Sequence, residues 1–365
     1  MHERSAIKRY QVTLSALRRA SGRTLILKLK LPDSGAFTYR PGQFIGLEAH
    51  DGRPRFFSIA NAEPVGDELE LHVSRAAGGA FTGSLFETAK LGDRFWLVGP
   101  HGEFSIPPEA SPRTIVVAGG TGFAPIKACL ERMATVRAGR DSDRPLHLYW
   151  GARSLEDLYD IGAVGALVER LPGVRFTPVL SQGHPDRATR TGYVHRAVIE
   201  DFDDLSDYDI YACGAPAMIE ALGRECAAER GFDPRRMVAD VFSVGPVAES
   251  LAPPTVGGPI NLFLDRTVRP RAIAGVAGEA LLFALKRAGV PLHAVCGGQG
   301  ACGTCLVHVA PSWRRTTGQP ARREERLLHY LGAGEGDRLS CQIRLTVDLD
   351  GLELRTRVEN QGDSP

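Results

Sequence analysis

The stretch "AVCGGQGACGTCLV" constrains this chain more than any other. It crowds Cys296, Cys302 and Cys305 into one glycine-rich loop, and Cys341 follows in "RLSCQIRL" after a 35-residue gap. The chain has only seven cysteines, and Cys129, Cys213 and Cys226 are scattered through its middle. An odd count without a secretory leader argues against a disulfide framework and for metal or redox use of the clustered four. A zinc site more often pairs two Cys-x-x-Cys knuckles around a tetrahedron. Here three ligands share one loop packed with Gly297, Gly298, Gly300, Ala301, Gly303 and Thr304. Bridging sulfides need backbone N–H groups turned inward and no side chains in the way, and glycine permits both. The spacing Cys-x5-Cys-x2-Cys with a distant fourth cysteine therefore points to a [2Fe–2S] cluster, with zinc or a purely structural thiol group as the alternatives.

The rest of the chain has two further rhythms. Residues 1–110 read as an antiparallel β-barrel: "TLILKLKL" and "ELELHV" place Leu25, Leu27, Leu29 and Leu31, and Leu69, Leu71 and Val73, on single faces between turn signals. Residues 111–245 alternate continuous apolar runs ("TIVVAGG", "LHLYWGA", "VRFTPVL", "YDIYACG") with helical stretches, which predicts a parallel α/β sheet covered on both faces. A Pro/Gly/Val-rich linker at 246–257 leads to an α+β domain at 258–365 that carries the clustered cysteines. The fold class expected is thus multidomain. With 44 basic against 43 acidic side chains, no nucleic-acid partner is indicated. No run of about 18 apolar residues and no signal peptide are visible, so no membrane association and a cytoplasmic location are expected.

Three sets of motifs carry a resemblance. The C-terminal part resembles the plant-type ferredoxins, of β-grasp fold: "GEALLFALKRAGV" looks like the helix before the cluster loop, and "RLSCQ" like the strand giving the last ligand. The usual plant-type spacing is Cys-x4-Cys-x2-Cys, and the extra residue resembles vertebrate-type and hydroxylating ferredoxins. "RFFSIAN" matches the Arg-x-Tyr/Phe-Ser pattern of ferredoxin-NADP-reductase-like flavoproteins. The resemblance implies that Arg55 neutralises flavin phosphate, that Phe56 and Phe57 line the flavin, and that Ser58 bonds flavin N5. "LHVSRAAGGAFTGSLF" looks like the second flavin segment. It implies His72, Val73 and Arg75 at the ring edge, and Gly78, Gly79 and Thr82 at the pyrophosphate, with a helix at 82–89 presenting its N-terminus.

"TIVVAGGTGFAP" is a strand, a Gly-rich turn and a helix start. Its glycines, Gly119, Gly120 and Gly122, with Thr121 and Pro125, would let phosphate oxygens approach backbone N–H groups. "CGAPAM" matches the family's Cys-Gly-x-Pro-x-Met, which implies Cys213, Gly214, Pro216 and Met218 at the nicotinamide, Cys213 beside the hydride path. A buried apolar cysteine is the alternative, and the expected fate of Cys129 and Cys226. Phe242 would end the reductase portion against the flavin or serve as a core aromatic. Arg153 would grip a 2′-phosphate or stack on adenine, and Glu156 and Asp157 beside it favour NADH over NADPH.

The domain order resembles phthalate dioxygenase reductase, whereas "GGAFTGSLF" looks more like the FAD-binding members, so FAD is expected and FMN is the alternative. The resemblance implies an NADH-to-flavin-to-[2Fe–2S] oxidoreductase, a monomer whose partner is a terminal oxygenase of Rieske type. The competing expectations are a non-oxygenase acceptor such as a deoxysugar dehydratase, and a redox-sensing iron–sulfur protein. The segment "PSWRRTTGQPARREERLLHY" offers Arg314, Arg315, Arg322, Arg323 and Arg326 against Glu324 and Glu325, either as a docking patch or as a solvated loop.

Overall fold

The computed structural model describes residues 9–32, 37–48, 54–65, 67–76, 79–138, 145–182, 189–241, 259–264, 271–290, 292, 298, 300, 303 and 305–356. The chain forms two compact units, Met1–Val244 and Gly245–Pro365. The expected linker lies outside the described residues.

The first unit opens with β1 (Arg9–Arg19), β2 (Thr24–Lys30), β3 (Phe44–Glu48), β4 (Pro54–Ser58), β5 (Glu68–Ser74), α1 (Ala80–Glu87) and β6 (Arg94–His101). The strands form one antiparallel sheet in the order β4-β3-β6-β1-β2-β5. Its edges meet where Ile59 bridges Leu71 and the Ala60 N–H donates to the Glu70 carbonyl at 2.8 Å, which closes the barrel. Period-two alternation decides what lies inside. Leu25, Leu27 and Leu29 stand opposite Val73, Leu71 and Leu69, and all six are buried in the barrel core. The intervening residues, Ile26 and its partner His72, point outward. Ile26 packs into the core of the α/β portion that follows.

That portion comprises β7 (Thr114–Gly119), α2 (Phe123–Arg137), β8 (Leu146–Ala152), α3 (Ile161–Glu169), β9 (Val174–Leu180), β10 (Arg190–Thr191), α4 (Val194–Asp201), β11 (Asp209–Gly214), α5 (Pro216–Arg230) and β12 (Met237–Val241). The sheet is parallel throughout, ordered β10-β9-β8-β7-β11-β12. Helices α2 and α3 cover one face and α4 and α5 the other, each with its own core. Cys129 and Cys226 lie in these two cores as expected, and burial pushes each thiol up to about 12, which removes them from nucleophilic chemistry.

The second unit holds β13 (Pro259–Leu264), β14 (Arg271–Val276), α6 (Leu281–Arg287), β15 (Leu306–Val309), α7 (Arg322–Tyr330), β16 (Asp337–Leu339) and β17 (Leu352–Thr356). Its mixed sheet runs β14-β13-β17-β15-β16, with β13 and β17 parallel and the other pairs antiparallel, and α6 buries Leu281, Ala284 and Leu285 in its core. This is the β-grasp arrangement that the resemblance implied. Among the described residues no helix is long and apolar enough to cross a membrane.

Candidate flavin, nicotinamide and cluster sites

Strand β4 sets the flavin side. Its pleat sends Arg55 and Phe57 toward Phe81 of α1, with the guanidinium 5.1 Å and the Phe57 ring 6.1 Å from that ring. Phe56 points the other way, edge-on to Phe44 at 5.9 Å and to His101 at 6.0 Å. Ser58, at the strand end, is buried. The expected helix at 82–89 starts two residues earlier, at Ala80. No side chain caps it and no acidic residue occupies its first turn, so its opening N–H groups suit an anion. The Thr82 hydroxyl closes the preceding loop instead of reaching outward: it accepts from the Ala76 N–H at 3.1 Å and donates to the Gly79 carbonyl at 3.2 Å. A Cβ on Gly79 would sit 2.8 Å from that hydroxyl. Gly78 lies outside the described residues.

The second flavin segment is turned otherwise than expected. Strand alternation buries the Val73 side chain in the barrel core, so only its backbone can edge a ring. Arg75 is ion-paired with Glu87 and lies 5.5 Å from the Phe86 ring. His72 is fully buried where the barrel meets the α/β portion, with Nδ1 2.7 Å from the Tyr159 hydroxyl and Nε2 3.0 Å from Glu70 Oε1. Burial holds this imidazole neutral by pushing its pKa down. A carboxylate only accepts, so the ring proton belongs on Nε2 and the Tyr159 O–H donates to Nδ1. Lys127 of α2 completes the set, 3.0 Å from Glu70, 2.6 Å from Glu131 and 3.1 Å from the Ala60 carbonyl. Burial alone would raise the Glu70 pKa. The hydrogen bond from His72 and the Lys127 charge outweigh it and hold the carboxyl at about 2. Glu70, Lys127, Glu131 and Tyr159 carry no motif, and only their convergence in space reveals them.

In the parallel sheet, the chain runs outward from β7 to β10 and then returns to β11 on the other side of β7. The crevice beyond the C-terminal ends of β7 and β11 is therefore the switch point where open α/β sheets bind ligands. It gathers Gly119, Gly120, Thr121, Gly122, Cys213 and Gly214, which are distant in sequence. The glycines differ in purpose from the expectation. A Cβ on Gly122 would meet the Cys213 carbonyl oxygen at 2.1 Å, and one on Gly119 would meet Met218 Sδ at 2.6 Å. These two glycines, with Met218, let the two loops touch each other. Gly120 alone has open space at its Cβ position, with φ +53°. Its carbonyl turns inward to accept from Trp150 Nε1 at 2.9 Å, which aims the N–H of the same trans peptide, on Thr121, the opposite way.

Cys213 itself is fully buried at the end of β11. Pro216 opens α5, and Pro125 lies in the first turn of α2, both positions that need no N–H donor. Arg153 is exposed just after β8. Glu156, expected to repel a 2′-phosphate, instead accepts from the Gly22 N–H of the barrel at 2.8 Å, and Asp157 binds Ser154 Oγ at 3.2 Å. Phe242 lies outside the described residues.

In the second unit, Cys296 and Cys302 fall outside the described residues. Cys305 and Cys341 are buried in a small apolar core with Leu282, Leu327, Leu328 and Leu339. Cys341, expected as the last ligand on a strand, lies instead in a single 3₁₀ turn, Ser340–Gln342, that directly follows β16. That turn is fixed to Cys305: the Ser340 N–H and Oγ–H both donate to its carbonyl, at 3.0 and 2.8 Å. Gln342 Nε2 lies 3.3 Å from Cys341 Sγ. Gly298, Gly300 and Gly303 have φ of +94°, +64° and +73°, the left-handed region the cradle argument required. Two buried cysteines, with three glycines in the left-handed region ahead of Cys305, fit a [2Fe–2S] cluster. Glu324 does not belong to the basic surface. It is buried, bonded to Arg338 at 2.8 and 3.0 Å and to the Leu339 N–H at 2.8 Å, and so fixes α7 behind the cysteines. Arg314 pairs with Glu335 at 2.8 Å.

Comparison with known proteins agrees with this geometry. Residues 11–106 match the oxidoreductase FAD-binding domain, 116–224 the oxidoreductase NAD-binding domain, and 266–346 the 2Fe-2S iron-sulfur cluster binding domain. The CDP-6-deoxy-L-threo-D-glycero-4-hexulose-3-dehydrase reductase of Yersinia pseudotuberculosis is 34% identical over 236 residues, 64% of this chain and 69% of that protein. This chain belongs to the flavin and iron–sulfur NAD(P)H reductases. Reductase component 2 of terephthalate 1,2-dioxygenase from Comamonas is 31% identical over 242 residues, 66% of this reductase and 70% of that protein. Among solved structures, the Amycolatopsis cytochrome P450 reductase GcoB superposes with a TM-score of 0.57 at 34% identity, covering 65% of this chain and 70% of that one. FAD, a nicotinamide dinucleotide and a [2Fe–2S] cluster are accordingly the reductase's cofactors.

Proposed function

We propose that this reductase takes hydride from NADH and passes single electrons through its cluster to a terminal oxygenase, a Rieske-type ring hydroxylase or demethylase. One observation carries the reading: a single chain holds an uncapped helix in its barrel portion, a switch-point crevice, and two buried cysteines preceded by three left-handed glycines. FAD and the cluster, when bound, supply the conversion of a two-electron donor into one-electron steps. Arg55 and the first turn of α1 hold flavin phosphate, Phe57 packs on the flavin, and Ser58 bonds N5. The Thr121 N–H meets the nicotinamide nucleotide's phosphate. Cys213, Gly214, Pro216 and Met218 wall the nicotinamide, and Arg153 stacks on or grips the adenosine end. Cys296, Cys302, Cys305 and Cys341 ligate the cluster. The working form is a cytoplasmic monomer.

The energetics favour such an acceptor. Plant-type clusters sit near about −400 mV and Rieske centres at about −150 to +300 mV, a drop of at least ~250 mV. At ~59 mV per decade this favours transfer by roughly 10⁴-fold. A second reading has support of its own, because the Yersinia relative serves a deoxysugar dehydrase. Oxygen consumption that depends on an added oxygenase component separates the two. Cys305→Ser is expected to abolish NADH–cytochrome c reduction and to leave NADH–ferricyanide reduction within about twofold, because the flavin survives. Equal loss of both activities overturns the electron path.

A further inference from the structure

The junction between the barrel and the nicotinamide portion is held by groups that adhesion alone does not require. His72 and Tyr159 are buried and Glu70 and Lys127 partly buried, with Ile26, Phe123, Trp150 and Leu158 in the adjoining core. An ion pair at such a partly buried boundary contributes little net stability, and the best-attested use of ionic groups away from water is to fix one arrangement. Each end of this set is attached to a cofactor loop. Lys127 stands on α2, one turn past the Gly120–Gly122 turn. His72 and Glu70 stand on β5, just ahead of the loop that leads into α1. Tyr159 packs edge-on to Trp150 at 5.2 Å, and Trp150 in turn holds the Gly120 carbonyl. Three more bonds pin the same junction: Glu156 to the Gly22 N–H at 2.8 Å, Arg18 to Asp160 at 3.1 Å, and the Ala62 N–H to Glu131 at 2.9 Å.

We propose that Tyr159, His72, Glu70 and Lys127 form a positioning clamp, buried at its His72–Tyr159 end, that fixes the phosphate loop of the nicotinamide portion against the flavin edge of the barrel, and so sets the approach of hydride donor to acceptor. All four are positioning residues, not catalytic ones. Their effect runs through the two loops they anchor. The inference rests on the reading that NADH reduces the flavin, so the wild-type rate of flavin reduction is measured first, and its absence counts against that reading and not against the clamp.

The test uses full-length, flavin-loaded protein with anaerobic stopped-flow mixing against NADH. In Lys127→Met the limiting rate of flavin reduction is expected to fall about tenfold to a hundredfold, the cost of a misplacement near 1 Å. Flavin content should be retained, and the amides of residues 59–62 and 120–131 should exchange faster with deuterium. Tyr159→Phe keeps the ring packing and removes only the hydroxyl. It should lower the rate less but in the same direction. The double variant Glu70→Gln/Lys127→Met removes both charges of the Glu70–Lys127 pair and leaves only the partly exposed Glu131, which still accepts from the Ala62 N–H, without its cation. It is expected to regain melting temperature without regaining rate. An unchanged limiting rate in both single variants, unchanged exchange, or recovery of rate together with melting temperature in the double variant overturns the clamp.

Discussion

The two glycine-rich loops of this reductase, Gly119–Gly122 and Gly298–Gly303, look alike as sequence and are built for opposite reasons. In the first, Gly119 and Gly122 have no positive φ. They are glycine because another backbone or side chain occupies the place of a Cβ, at 2.6 and 2.1 Å. In the second, Gly298, Gly300 and Gly303 are glycine because the chain turns left-handed at each. A packing glycine answers to its neighbours and a conformational glycine to its own φ. The sequence reading gave both loops the task of presenting backbone N–H groups, to phosphate oxygens in the first and to bridging sulfides in the second. In the first, Gly119 and Gly122 serve the packing of two loops instead, and Gly120 leaves that approach open.

The comparison can be broken by substitution. Gly122→Ala should have the largest effect. The obstructing atom is the Cys213 carbonyl oxygen, at 2.1 Å, and backbone cannot swing aside as a side chain can. A stability loss of about 3 kcal/mol or more is expected, and it should separate β7 from β11 at the crevice. Thermal unfolding measures the first effect and NADH-driven flavin reduction the second. A melting temperature equal to wild type would show that the loops part easily.

Gly303→Ala should cost less, about 1–3 kcal/mol. Its Cβ would meet Leu331 Cδ1 at 2.3 Å, but that is the tip of a partly exposed side chain. The remaining cost is the left-handed φ, so adding Leu331→Ala should restore little. Iron per flavin, read from the visible spectrum, should fall in Gly303→Ala and stay low in the pair. Full recovery in the pair would mean that this glycine, too, is a packing glycine.

What the sequence made legible follows the range of the interactions. The barrel and the parallel sheet were readable because period-two alternation and continuous apolar runs are local consequences of one-sided and two-sided burial. The switch-point residues were readable because two short motifs supply them. Glu324 was read with its charged neighbours as surface, yet it is buried against Arg338. Glu156 was read by its nearness to Arg153, yet its partner is Gly22, 134 residues away in sequence. The His72–Tyr159 bond spans 87 residues. A single sequence has no signal for such pairs, because nothing local distinguishes a carboxylate that will be buried from one that will be solvated.

Gly120 stands between the two kinds and gives the finest test. Its φ is +53°, yet nothing occupies the place of its Cβ. Gly120→Ala should therefore cost only the conformational penalty, about 1–2 kcal/mol. The new methyl would project into open space at the mouth of the crevice, beside the outward Thr121 N–H. If that space receives the nucleotide's phosphates, the KM for NADH should rise severalfold while the limiting rate of flavin reduction holds. Substrate affinity would then respond strongly to a change that stability barely registers, the reverse of the pattern expected for Gly122→Ala. A melting-temperature loss as large as that of Gly122→Ala, with KM unmoved, would place Gly120 among the packing glycines and leave the phosphate position to be sought elsewhere along the ends of β7 and β11.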